Sequence, residues 1–318
     1  MHTEIITGQI IILTILVLIG TGAVWFKVFS EGMMEGLAKL VFNITLPLLI
    51  FTNLTELEFT KQIIKNGGLV IFFTFFSLGV MYLMGSISSR IQFLKPRIRA
   101  IHLMHTMFGN IVFLGYPLID AIYPGGEGLL YATLFHLVSS SLQWTVGVYL
   151  LAGGKEQGWL NQLKHLLNPN TMALVLGLIM MGIPVKLPSI LLKSLGGLGE
   201  TTIYLSMLYI GAILASTSLK GVFHKWYSII VSLNKLIIIP FLLILIIKGM
   251  NNLLGLSMGK TAFEVVILQS AMPCMAIVVI MAKAYGADDK HATENVFLST
   301  ILALFTLPLV YFLLQKIG

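Results

Sequence analysis

The sequence predicts an all-α integral membrane protein with ten transmembrane helices. Hydrophobic residues make up 57% of the 318-residue chain, only 10% of its residues are charged, and the mean hydropathy is +0.93. Ordinary soluble domains carry far more charge than this. Apolar runs long enough to span roughly 30 Å of hydrocarbon as a helix recur along the whole chain. Because the loops between them are short, the sequence leaves no room for a soluble catalytic or nucleotide-binding domain.

We place the ten spans from the apolar runs and their polar boundaries. They cover residues 5–26, 36–54, 67–89, 99–122, 128–152, 169–186, 194–217, 226–247, 262–284 and 291–315. The first span has neither a basic segment before it nor a small-residue cleavage site after it, so we interpret it as a retained helix rather than a signal peptide. The single cysteine, Cys274, allows no internal disulfide and no thiolate cluster. We therefore expect no metal and no cofactor.

The distribution of basic residues predicts the orientation in the membrane. If the N-terminus lies outside, twelve of the 20 Lys and Arg residues fall on the inner side, seven on the outer side, and Lys235 inside a span. By the positive-inside rule, both termini are predicted to lie outside a cell membrane. The net charge of +7 is scattered among short loops instead of clustered on one face. The expected partner is therefore the lipid bilayer and not nucleic acid.

Two apolar stretches contain helix-breaking residues, Pro117 in the run 109–117 and Pro273 in the run 269–274. A broken helix exposes backbone groups that lipid cannot satisfy, so it is tolerated only where it is buried in protein or lines a cavity. Two interrupted segments at corresponding places in two halves are typical of the binding site of a secondary transporter. A kink that only shapes helix packing is the alternative for each proline.

The positions of these prolines also predict an internal repeat. Pro47 precedes Pro117 by 70 residues and Tyr204 precedes Pro273 by 69, so the two halves are offset by 156 or 157 residues. A shift of five helices inverts the copy in the membrane, which gives two inverted five-helix repeats. The predicted divisions are a first repeat, a short inner loop and a second repeat: 1–152, 153–168 and 169–318.

Polar residues near the interruptions are the candidate ligands of a substrate. Asn110 can donate and accept hydrogen bonds without the free-energy cost of an intramembrane charge, which suits a carboxylate or the carbonyls of crossed helices. Gln269 and Asn43 hold the polar places beside the other breaks, where a helix-packing amide is an equal alternative. The full set of candidate lining residues is Asn110, Gly115, Pro117, Pro273, Gln269, Asn43, Pro47, Ser140, Gln143 and Tyr204.

Lys235 is the least ordinary charged residue of the chain. It stands near mid-membrane, where a lone ammonium costs at least about 2.5 kcal/mol, so we expect a partner. Asp120 and Glu200 are the acidic candidates, and the sequence does not choose between them. A fixed ion pair and a role in coupling or anion attraction both stay open.

His102 and His105 are spaced so that they can share a helix face and bind a metal. No third ligand stands nearby in the sequence, and both adjoin a basic loop. We therefore expect them at the membrane interface.

The fourth span carries the pattern Asn-x-x-x-x-Gly-x-Pro, met by Asn110, Gly115 and Pro117, and with it the chain resembles the auxin efflux carrier family. The further matches are NITLPLLIF (43–51), NP (168–169), IGAIL (210–214), KLIIIP (235–240), QSAMP (269–273) and AKAYGADDKHATENVFLSTILALFTLPL (282–309). The resemblance covers nearly the whole chain. It implies fourth and ninth helices that cross at their prolines, organic anions carried between a scaffold and a transport domain, and a homodimer.

The chain departs from the family in two places. Tyr204 stands where the seventh span of the family often has a proline, and the loop at 153–165 is short, unlike the long phosphorylated loop of the plant members. Plant-type regulation and auxin itself are therefore poorly supported, and the bacterial dicarboxylate-type members look closer.

Together these features predict a secondary carrier for small organic anions, such as malate or malonate, that works by alternating access without ATP. A sodium- or proton-coupled symporter or antiporter of the same plan is the first alternative, and a passive channel or sensor is another. An intramembrane enzyme would need a nucleophile with its base, paired aspartates or a His-rich metal motif within the spans. None of these is present in the sequence, so we do not expect an enzyme.

Overall fold

The computed structural model describes residues 2–58, 60–154, 164–183, 187–216 and 225–317. Residues 155–163 of the predicted inner loop lie outside these ranges. In the described residues the chain folds into twelve helices and a single 3-10 turn, Lys164–Leu166, and forms no strand. The helices are α1 His2–Trp25, α2 Glu31–Thr55, α3 Lys61–Ile91, α4 Pro96–Met107, α5 Ile111–Ile122, α6 Glu127–Leu151, α7 Pro169–Gly182, α8 Ser189–Ser216, α9 Trp226–Leu254, α10 Lys260–Ser270, α11 Ile277–Tyr285 and α12 Asp289–Ile317.

Six of these helices are long and apolar enough to cross a membrane, namely α2, α3, α6, α8, α9 and α12. Helices α5 and α7 are shorter but also apolar. The prediction of an all-α membrane protein is thereby confirmed. The count of ten transmembrane helices and their inverted repeat stay predictions.

Three helices pass through a proline by way of a π-helical segment. Pro47 in α2, Pro117 in α5 and Pro240 in α9 each stand two residues after a five-residue π-helical segment. In a regular α-helix the proline ring clashes with the carbonyl four residues earlier and leaves it without a donor. The wider π turn bonds five residues back, as from Leu46 N–H to Val41 O, and so accommodates the ring. The break expected at Pro47 is therefore absent.

The chain divides into two compact units that interleave along the sequence. The first unit comprises residues Met1–Gly68, Val112–Leu134 and Leu167–Ser218, and the second comprises Leu69–Ile111, Phe135–Leu166 and Leu219–Gly318. This division follows contacts in space and does not test the predicted repeats, which are a relation between two lengths of sequence.

Close backbone packing holds the first unit together. A Cβ atom added to Gly20 of α1 would lie 2.2 Å from Leu208 O, and one added to Gly211 of α8 would lie 2.0 Å from Val17 O. Helices α1 and α8 therefore touch backbone to backbone. Thr21 Oγ1 adds a hydrogen bond of 3.0 Å to Gly211 O across the same contact. Small residues that let helices approach closely are typical of association in lipid, where apolar surface alone gives no driving force.

Buried polar side chains characterise the second unit. Helix α12 packs against α9, α11 and α4, and the groups buried there include an ammonium, several imidazoles and several amides. Buried polar groups are stabilising only where they are hydrogen-bonded, so their partners are informative. This unit also contains two interruptions of the helices, one between α4 and α5 and one between α10 and α11.

Candidate functional site

Two interruptions of the helices cross each other in the second unit. The first separates α4 from Ile111, and the second separates α10 from α11. Asn110 N–H donates to Pro273 O at 2.7 Å, and Gly109 and Cys274 form an antiparallel bridge. Extended backbone from one interruption is therefore hydrogen-bonded to extended backbone from the other. We call residues 108–110 and 271–276 the crossing.

The local sequence explains why the crossing forms here. A Cβ atom on Gly109 would lie 2.8 Å from Met272 Cβ and 3.0 Å from Met272 O, so only glycine allows this approach. Pro273 has no N–H, and its position in a break leaves no donor unsatisfied. The N–H of Cys274 donates to Ser299 Oγ at 2.9 Å. The freed backbone groups thus find partners inside the protein, as a break at membrane depth requires.

Lys235 stabilises the broken end of α4. Its side chain is 1% exposed, and Nζ donates to Met107 O at 3.0 Å and lies 3.7 Å from Met81 Sδ. Met107 is the last residue of α4, and in an unbroken helix its carbonyl would accept from Ile111 N–H, which here bonds to Gly109 O. A cation is favoured at a helix C-terminus, where the carbonyls carry partial negative charge.

The partner of Lys235 in this unit is therefore a backbone carbonyl and not a carboxylate. Among the described residues of the second unit no carboxylate oxygen lies within 4.0 Å of its Nζ. Asp120 and Glu200 belong to the first unit. An ion pair with either one stays a prediction.

Gln269 contributes an unsatisfied amide beside the crossing. Its side chain is buried in the last turn of α10, and neither Nε2 nor Oε1 has a hydrogen-bond partner among the described residues. A buried amide without partners is destabilising unless something else satisfies it. The N-terminus of α11 begins at Ile277, four residues after Pro273, and carries the partial positive charge that attracts anions.

Two further candidates lie in the second unit on α6. Gln143 is buried, and its Nε2 approaches Met281 Sδ at 3.5 Å, so this amide contacts α11. Ser140 is buried one turn earlier. Both positions pack inside the unit that contains the crossing.

The predicted break at Pro117 is wrong in position. The interruption lies at 108–110, and Pro117 is the second residue of the α-helical part of α5, directly after the π segment that ends at Gly115. The π segment accommodates the proline ring, so the helix continues through Pro117. Only the proline of the second half, Pro273, lies in the crossing, so the two helices do not cross at a pair of prolines.

Asn43 and Tyr204 of the first unit lie at exposed positions. Asn43 Nδ2 donates to Lys39 O at 2.9 Å within its own helix, so its amide is already satisfied, and Tyr204 is 54% exposed. A pair of buried residues close to them connects α8 with α2, since Thr202 Oγ1 donates to Thr45 Oγ1 at 2.9 Å. The sequence analysis missed this pair.

Glu200 lines a cavity of the first unit. The cavity has a volume of about 370 Å³ and is also lined by Glu56, Lys193, Thr52 and Asn53. Two carboxylates against one ammonium make it unfavourable for an anion. The groups that suit a carboxylate lie in the second unit. They are the Lys235 ammonium, the N-terminus of α11 and the unsatisfied amide of Gln269.

Sequence reasoning missed several residues of the crossing. Cys274 was considered only for disulfides and thiolate clusters, yet its backbone pairs with Gly109 and bonds to Ser299. A glycine inside an apolar run does indicate close backbone approach, so Gly109 was accessible from the sequence. Ser299 was not, because its contact depends on how α12 packs.

Comparison with known proteins supports a transporter. A sequence model described as membrane transport protein matches residues 5–162 and 159–311. An uncharacterised transporter of Methanocaldococcus jannaschii is 28% identical over 309 residues, 94% of this chain and 96% of the relative. An uncharacterised transporter of Methanothermobacter thermautotrophicus is 25% identical over 319 residues, 95% of this chain and 96% of the relative.

A plant protein aligns with part of the chain. Auxin efflux carrier component 8 of Arabidopsis thaliana is 28% identical over 156 residues, which are 48% of this chain and 41% of that protein. The predicted resemblance is confirmed, as is a multi-pass membrane protein with a transport function. The chain belongs to the membrane transport protein family that includes the auxin efflux carriers.

Proposed function

We propose that the protein is a secondary carrier of small organic anions, mono- or dicarboxylates such as malate or malonate, in the cell membrane. The observation that carries the proposal is the crossing, where two interrupted helices hydrogen-bond through Asn110 and Pro273. Interrupted helices of this kind provide binding groups near the midplane of secondary transporters.

Three groups of the second unit suit a carboxylate. The Lys235 ammonium stands at the broken end of α4, the Gln269 amide is buried without a partner among the described residues, and the N-terminus of α11 follows Pro273. A carboxylate accepts hydrogen bonds and carries negative charge, so it satisfies the amide and is attracted by the ammonium and the helix end. An anion bound there removes the cost of the unsatisfied amide.

Transport then follows from alternating access. The second unit contains the complete crossing, and the first unit is tightly packed through glycine contacts. In our proposal the first unit acts as the scaffold and the second exposes its bound anion to each side of the membrane in turn. The free energy comes from the substrate gradient or from a coupled ion and not from ATP.

Counterflow in ATP-free proteoliposomes tests this function. Vesicles containing the purified protein are loaded with unlabelled malate or malonate and diluted into a trace of the labelled compound. We expect transient, saturable accumulation of label, since a carrier exchanges one bound anion for another. Vesicles without protein provide the control. Uptake that is linear with concentration, or that requires ATP, would contradict the proposal.

A further inference from the structure

A second group of buried polar side chains lies in the second unit apart from the anion-binding groups. His102 and His105 of α4 come together with His291 and Asn295 of α12, and all four are buried. Asn295 Nδ2 lies 3.2 Å from His105 Nδ1 and 3.3 Å from His291 Nε2. Helix α12 covers His102 and His105 and contributes the third histidine that their sequence neighbourhood lacks, whereas their expected position at the membrane interface stays a prediction. We call these four residues the histidine cluster.

Two imidazoles of the histidine cluster share the amide of Asn295. The Asn295 amide donates to one ring nitrogen of His105 and to one of His291, so both of these nitrogens present lone pairs. A proton added at either nitrogen turns an acceptor into a donor, and the amide must then turn away. Asn295 Oδ1 is buried and has no partner among the described residues, so a rotated amide can accept the new N–H. The network therefore has two arrangements that differ by one proton.

A chain of contacts connects the cluster to the surface. His291 is the third residue of α12, and its Nδ1 lies 4.0 Å from Glu294 Oε2. Glu294 forms a salt bridge with Lys225, whose side chain is 31% exposed. Lys225 precedes the first residue of α9, and its hydrogen bond to Glu294 raises the pKa of the Lys225 ammonium. The histidine cluster is thereby linked to the partly exposed Lys225 side chain at the start of α9.

At its other end the cluster meets the crossing. His105 lies two residues before the end of α4, and its carbonyl accepts from Cys274 Sγ at 3.9 Å. Cys274 in turn pairs with Gly109. Two connections therefore link His105 to the backbone of the crossing. One is the last turn of α4, and the other is the contact between Cys274 Sγ and the His105 carbonyl.

The groups that face the cluster define its electrostatics. His105 faces His102, His291 and Lys235, and His102 accepts or donates a hydrogen bond of 2.7 Å with Ser88 of α3. The groups that face His291 are Asp288, Glu294, Lys225, His102 and the ring of Tyr227. Across the described residues no three His, Cys, Asp or Glu side chains are arranged to hold a metal ion. The Lys235 ammonium disfavours a further positive charge on His105 while no anion is bound.

We propose that the histidine cluster is the proton-binding site of a proton-coupled anion carrier. A proton from one side of the membrane binds the lone pair of a cluster imidazole and forms an imidazolium, and the same proton leaves on the other side after the anion has left. No other reactant is consumed. An imidazolium next to Lys235 is favoured when a carboxylate occupies the crossing, and by reciprocity the proton favours carboxylate binding. This inference rests on the proposed carrier function.

Uptake under an imposed pH gradient tests the coupling. Proteoliposomes with the membrane potential clamped at zero receive labelled malonate at equal pH or with the outside about one pH unit more acidic. A carrier that couples one proton to one anion accumulates the anion about tenfold under that gradient. Equal acid pH on both sides controls for protonation of the substrate itself. The measured quantity is the ratio of uptake with and without the gradient.

Matched variants locate the site. In His105→Gln and His291→Gln the ratio should fall to about one whatever the remaining rate, since a carrier that binds no coupled proton does not respond to a proton gradient. His136→Gln removes another buried histidine of the same unit and should keep the wild-type ratio. Asn295→Leu, which removes the rotating amide, tests the same claim if a histidine variant does not fold.

The outcomes separate the two proposals. Counterflow in the wild type with a gradient ratio of one would reject proton coupling and leave the carrier function standing. A wild-type ratio that survives in His105→Gln, His291→Gln and Asn295→Leu would place the proton elsewhere and reject the histidine cluster. Absence of counterflow for every carboxylate tested would reject the carrier function, and the coupling site with it.

Discussion

The two units of the protein are held together by different chemistry. In the first, glycines let α8 pack against the backbone of α1 and of α2, and Gly177 of α7 packs against the side chain of Leu54 in α2. In the second, the core contains an ammonium, three clustered histidines and an amide without a partner among the described residues. Close backbone packing has one good arrangement, whereas polar networks can hold two. The difference suits a fixed scaffold in the first unit and a binding site in the second.

Adding a methyl group to the glycine contact should break the first unit and gives the largest expected effect. In Gly20→Ala the new Cβ would lie 2.2 Å from Leu208 O, so α1 and α8 must separate, and we expect a loss of about 3 kcal/mol. Gly22→Ala in the same helix meets no atom closer than 4.0 Å and should be neutral or stabilising by up to about 1 kcal/mol. Thermal unfolding in detergent measures both. Equal melting temperatures for the two variants would show that the contact at Gly20 does not stabilise the first unit.

Removing the buried ammonium should weaken the second unit. Lys235→Met leaves Met107 O without its donor, and a hydrogen bond from a charged group contributes about 2 kcal/mol. We expect lower unfolding stability and weaker carboxylate binding, since the same charge attracts the anion. Unfolding and transport measured on one preparation separate these effects.

Double variants test the rival partner of Lys235. If Asp120 or Glu200 forms a fixed ion pair with it, Lys235→Met combined with Asp120→Asn or with Glu200→Gln should recover much of the lost stability. Our account expects no recovery, because the partner in the second unit is the Met107 carbonyl.

Removing the unsatisfied amide of Gln269 should weaken carboxylate binding without lowering the stability of the protein. Gln269→Leu loses no hydrogen bond to a described residue, so stability should stay level or rise by about 1 kcal/mol. Carboxylate affinity should fall about tenfold, equivalent to about 1.4 kcal/mol. Asn170→Leu is the matched control, because Asn170 is equally buried and unsatisfied among the described residues but belongs to the first unit. An identical loss of affinity in both variants would show that the carboxylate does not bind at the crossing.

The hydroxyl pair of the first unit should give the smallest effect. Thr45→Val and Thr202→Val each remove one partner of the 2.9 Å hydrogen bond and should cost about 1 kcal/mol. In the double variant the losses should not add, since both report the same bond. A double-mutant cycle with zero coupling energy would show that the pair contributes nothing to the scaffold.

The sequence predicted which residues lie at or beside the crossing better than it predicted their arrangement. Asn110, Gln269 and Pro273 were recognisable because polar or helix-breaking residues inside apolar runs are expensive in lipid. Pro117 misled, since nothing local distinguishes a proline in a break from one after a π segment. Asn43 and the crossing partner Ser299 depend on which helix face is buried, and that is set by packing between distant segments.

The histidine cluster shows the same limit. His102 and His105 are close in sequence, but their significance depends on His291 and Asn295, which the fold brings from the start of α12. Lys235 was correctly recognised as needing a partner. The partner found in its unit is a backbone carbonyl freed by a helix break, which residue types alone do not reveal.

The most direct test of the account is carboxylate binding by the Asn110→Ala variant. Its backbone N–H can still donate to Pro273 O, so the crossing should form, and thermal unfolding checks that the variant is folded. Calorimetric titration with malonate or malate should show an affinity at least about tenfold weaker, a loss of about 1.4 kcal/mol. Equal affinity in variant and wild type would contradict the claim that the anion binds at the crossing.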